Sequence, residues 1–111
     1  MNTADILDKA ADLITERGWN QHYFVDSAGR LCPRGAIYAA CGMKPDPDPL
    51  VWVVDWPGWT SRAADDAMDA CDRLDAVVND YAESWNDAPG RTAEEVISTL
   101  RAAAQAARAG E

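Results

Sequence analysis

Trp85-Asn86-Asp87-Ala88-Pro89-Gly90-Arg91-Thr92-Ala93-Glu94-Glu95-Val96-Ile97 decides the fold, because it specifies a corner and the helix that leaves it. Pro89-Gly90 is a turn dipeptide: proline pre-sets its backbone angle and glycine accepts angles that other residues resist. Thr92 suits a helix N-cap, since its hydroxyl can accept from a free backbone N–H one turn on. Glu95, three residues later, can reach back to complete a capping box. Glu94 and Glu95 also set negative charge at the positive end of the helix dipole. Val96, Ile97, Leu100, Ala103, Ala104 and Ala107 recur at helical spacing, which predicts a helix from about Ala93 to Ala109. The polar members of the corner have a structural role in the simplest account. Asn86 or Asp87 bonds the local backbone and Arg91 pairs with Asp87; the sharper alternative makes the three a recognition site.

Before the corner, Ala64, Ala67, Met68, Cys71, Leu74, Val78, Tyr81, Ala82 and Trp85 mark one stripe at three- and four-residue steps. They predict a single helix capped by Thr60 or Ser61 and antiparallel to the last one. Near the N-terminus, Ile6, Leu7, Ala10, Ala11, Leu13 and Ile14 predict a first helix opened by Thr3 or Asp5 and stopped by Gly18. Tyr23-Phe24-Val25, the turn Asp26-Ser27-Ala28-Gly29 and Arg30-Leu31-Cys32 form a candidate hairpin, with Trp19 anchoring it to the core. Pro33 suits the start and Gly42 the end of a short second helix, whose small residues place it centrally.

Residues 43–60 break the pattern. Lys44-Pro45-Asp46-Pro47-Asp48-Pro49 is a stiff extended linker, because alternate residues lack an N–H and restrict their predecessors. The β-branched and aromatic content of Leu50-Val51-Trp52-Val53-Val54-Asp55-Trp56-Pro57-Gly58-Trp59 favours a strand, which Pro57-Gly58 ends. Its partner would be the Tyr23 region or another chain. The fold expected is a single mainly α domain over residues 1–111. It has four helices and a Pro/Trp-rich extended or hairpin excursion between the second and third.

The Trp85–Ile97 stretch resembles the C-terminal signature of a small uncharacterised domain family of actinobacteria and their phages, with the pattern Trp-Asn-Asp-x-Pro-Gly-Arg-Thr. Gly18-Trp19-Asn20-Gln21 and Cys32-Pro33-Arg34-Gly35-Ala36-Ile37 resemble its N-terminal signatures. The resemblance implies ancestry and no assigned reaction.

A chain of 111 residues buries roughly two-thirds of its unfolded surface, enough for a core without staples. Its 48% hydrophobic content is too high for general disorder. A formal net charge of -9 argues against direct nucleic-acid binding, where Lys and Arg must neutralise phosphates, and against an anionic membrane surface. No run is apolar and long enough to span a bilayer, and the first residues lack the pattern of a signal peptide. Cys32, Cys41 and Cys71 leave an odd thiol under any pairing, which fits reduced cysteines in a cytoplasm.

Chemistry-bearing residues are sparse. His22 has no neighbouring nucleophile motif and reads as a loop histidine. His22 with the three cysteines lacks any CxxC pair, so no metal and no cofactor is expected. Asp65, Asp69 and Asp72 stack along one helix face, which reads first as a solvated face opposite Arg62 and Arg73. Trp52, Trp56 and Trp59 within eight residues are either a lid on the core or a docking surface.

The leading expectation is a non-enzymatic, cytoplasmic interaction protein, phage-encoded or of phage-like ancestry. It would bind a protein partner through Val51, Trp52, Val54, Trp56 and Trp59, with self-association through Leu50–Val54 a related expectation. One alternative is an acidic nucleic-acid mimic that uses Asp65, Asp69 and Asp72 to block a basic protein. A small enzyme or metal-binding domain ranks last.

Overall fold

The computed structural model of the chain describes residues 2–42 and 60–110. The Trp-rich surface expected at Val51, Trp52, Val54, Trp56 and Trp59, the Lys44–Pro49 linker and the Leu50–Trp59 strand all lie outside the described residues. Among the described residues five helices follow in order: α1 (Thr3–Arg17), α2 (Pro33–Ala40), α3 (Ser61–Val78), α4 (Ala82–Asn86) and α5 (Ala93–Ala109). The architecture is mainly α, as the periodicity predicts. No helix among the described residues is long and apolar enough to cross a membrane.

Among the described residues α1 and α5 form the most extensive contact between helices. α1 buries Ala4, Ile6, Leu7, Ala10, Ala11 and Ile14, while α5 buries Val96, Leu100, Ala103, Ala104 and Ala107. Alanine supplies three of the buried residues on each face, which lets the two backbones approach. Ile6, Leu7, Ile14, Val96 and Leu100 supply the large apolar payload, each worth about 1.5–3 kcal/mol on burial. Outside the seam, Arg101 reaches Asp8 and Asp12, and Arg108 reaches Asp5 and Asp8. Asn2, and neither Thr3 nor Asp5, caps α1: its side chain accepts from the Asp5 N–H at 2.8 Å. Gly18 ends the helix at φ 96, as expected of a glycine stop.

α1 also packs on α2 and α3, so the central place expected for α2 belongs to α1. α2 starts at Pro33 and is capped by the Cys32 sulfur, which accepts from the Gly35 N–H at 3.3 Å.

The third predicted helix arrives in two pieces. α3 begins with Thr60 accepting from the Ala63 N–H and buries Ala67, Ala70, Cys71 and Leu74. It stops at Asn79, which adopts the left-handed conformation at φ 55. Asparagine tolerates that conformation better than most residues. The Asp75 carboxylate then accepts from the Ala82 N–H at 2.8 Å, and α4 restarts the chain in a new direction. Tyr81, just past the break, is 71% exposed, and Met68 within α3 also falls outside the core at 47% exposed, while Ala70 is buried.

The segment between α1 and α2 keeps the expected turn with fewer strand pairings than a hairpin. Val25 and Leu31 form one antiparallel bridge, and Trp19 and Leu31 one parallel bridge. The Asp26 side chain accepts from the Ala28 and Arg30 N–H groups inside the turn.

Candidate functional site

Asn86, at the end of α4, is 1% exposed and is one of two buried polar residues among those described; the other is Asn20. A buried amide is costly unless bonded, so its partners define the local structure. Its Oδ1 accepts from the Trp19 indole N–H at 2.6 Å, and its Nδ2 donates to the Asn20 carbonyl at 3.2 Å. Gln21 Nε2 donates to the carbonyls of Asn86 and Ala88. Asp87 Oδ1 accepts from the His22 N–H at 2.8 Å, and Asp87 Oδ2 lies 3.4 Å from His22 Nδ1. Four consecutive residues, Trp19 to His22, are therefore each tied to the Asn86–Ala88 stretch.

This corrects the local account of the corner. Asn86 and Asp87 act mainly on residues more than sixty positions upstream. Arg91 does not pair with Asp87: it meets Glu95 at 2.8 Å, donates to the Trp85 carbonyl and stacks 4.2 Å above the centre of the Trp85 ring. Thr92 caps α5 as predicted, accepting from the Glu95 N–H at 3.2 Å. The Arg91 hydrogen bond first, with further help from Thr92, holds the Glu95 carboxyl below the usual range.

Beyond His22 the loop presents Tyr23 and Phe24, 64% and 42% exposed. Phe24 meets Tyr38 edge-on, with ring centres 5.6 Å apart. The Phe24 carbonyl accepts from the Cys32 N–H and lies directly against Gly35, where any Cβ would collide with it. Arg34, one residue earlier on α2, bridges to Glu83 on α4 and to the Tyr38 hydroxyl. Burial opposes its charge, but the bonds to Tyr38 and Glu83 outweigh that and raise its pKa.

His22, Phe24, Pro33, Arg34, Glu83 and Asp87 line a cleft of about 40 Å³ between this loop, α2 and α4. A water needs about 10–15 Å³ on the same measure, and small-molecule pockets run to roughly 300–1,000 Å³. The cleft therefore has room for no more than a few waters and does not enclose a metabolite. Its sulfur is unreactive at neutral pH, since burial pushes the Cys32 thiol up to about 11. Cys71 is likewise pushed to about 12 and Cys41 to about 11, and all three cysteines are free. Among the described residues, no group of three or more His, Cys, Asp or Glu side chains is placed to hold a metal ion.

Asp65, Asp69 and Asp72 sit exposed on α3. Among the described residues none of them forms an ion pair, with Arg62, Arg73 or otherwise, and all three face solvent, as expected of a solvated helix face.

A model of the family DUF6197, described as a family of unknown function, matches residues 1–106. The chain belongs to DUF6197. No curated protein and no solved structure matches it. In this DUF6197 member, the three stretches that carried the sequence resemblance, 18–21, 32–37 and 85–97, are the ones that meet around Asn86 and the cleft. Their shared place in that resemblance was the sequence signal for Trp19, Gln21, Arg34 and Gly35. The Tyr23–Phe24 display left no such mark, because exposed aromatics on a loop have no periodicity.

Proposed function

We propose that this DUF6197 domain is a non-enzymatic binding module that docks a protein partner through aromatic side chains. One observation carries the proposal: Tyr23 and Phe24 stand exposed on a loop whose preceding residues are all bonded to the α4 corner. Aromatic side chains dominate binding hot spots, and a loop already held in place loses little further freedom on association. Val51, Trp52, Val54, Trp56 and Trp59 are proposed as a further docking segment from their apolar and aromatic composition alone. Three cysteines, an odd number for pairing, suit a reducing cytoplasm. The sequence resemblance points to actinobacteria or their phages.

Immobilised wild-type protein, Tyr23→Ala/Phe24→Ala and Trp52→Ala/Trp56→Ala are to be compared for partner capture from an actinobacterial lysate. At least one pair of substitutions is expected to reduce a specific captured protein more than tenfold with helical circular dichroism unchanged. Equal capture by all three proteins overturns the proposal. Sedimentation of the same variants tests self-association through Leu50–Val54.

The unpaired, exposed Asp65, Asp69 and Asp72 favour a second reading, in which α3 imitates phosphates and occupies a basic protein. Binding of that kind weakens steeply with salt. Reversing the three aspartates to lysine is expected to abolish capture of a basic partner; retained, salt-insensitive capture excludes the mimic.

A further inference from the structure

We draw no further inference here: the strongest candidate, the cleft between the 19–32 loop, the start of α2 and α4, belongs to the site already described, and nothing in the structure shows what covers it.

Discussion

Asn86 shows how one amide can organise a surface it does not belong to. Its oxygen satisfies the Trp19 indole and its nitrogen satisfies the Asn20 carbonyl. Asn86→Ala removes the shared partner and leaves two polar groups, the part-buried Trp19 indole N–H and the buried Asn20 carbonyl, short of a bond. Each such group costs about 1–3 kcal/mol. The variant is expected to lose about 2–6 kcal/mol in urea denaturation, and its Trp19 indole proton should exchange faster with solvent. An unchanged urea midpoint would show that water replaces the amide without penalty. Little of this was legible in the sequence. Asn86 and Asp87 beside Pro89-Gly90 match a local turn pattern, and a hydrogen bond across sixty-seven positions leaves no periodic trace.

At the scale of elements, the sequence was most informative where one face repeats. Ala93–Ala109 emerges with the predicted boundaries, because Thr92 at the cap and the Val96–Ala107 stripe agree with each other. α1 is nearly as legible, differing in its cap. α3 is where spacing misleads: Tyr81, Ala82 and Trp85 continue the apolar register past Asn79-Asp80, although the backbone has already turned. Apolar spacing cannot register a left-handed residue, whereas residue type can, and Asn79 is of the right type. A β-branched residue there pays about 1–2 kcal/mol for the left-handed conformation. Asn79→Val is therefore expected to lower the thermal midpoint, and Asn79→Gly to leave it unchanged or raise it slightly. Equal midpoints for the two variants would show that the break between α3 and α4 is held by Asp75 alone.

For the whole molecule, the buried thiols make alkaline pH a test of core integrity. An ordinary thiol titrates near 9.0, while Cys32 and Cys71 are pushed to about 11 and about 12 by burial. The sign follows: below pH 9 both states carry neutral thiols and the contribution to stability is complete. Above pH 9 the unfolded chain ionises first, so stability falls until the folded pKa values are reached. Each thiol contributes a slope of about 1.4 kcal/mol per pH unit in that window. Urea midpoints should decline from pH 9 toward 11, and Cys71→Ala should decline less steeply from a lower starting value. Parallel declines would show that Cys71 meets solvent in the native state. By contrast, the Arg101 and Arg108 guanidinium groups that reach across the α1–α5 seam stand in solvent, which screens their pairs and leaves them little weight in the fold.

The bond between Trp19 and Asn86 also orders events in time. A ribosome releases the loop long before it makes the amide that receives the indole, and α5 follows later still. Until then Tyr23 and Phe24 have no fixed platform. Any partner of this surface must therefore wait for the last quarter of the chain, and a product truncated before Trp85 would have no means of presenting it.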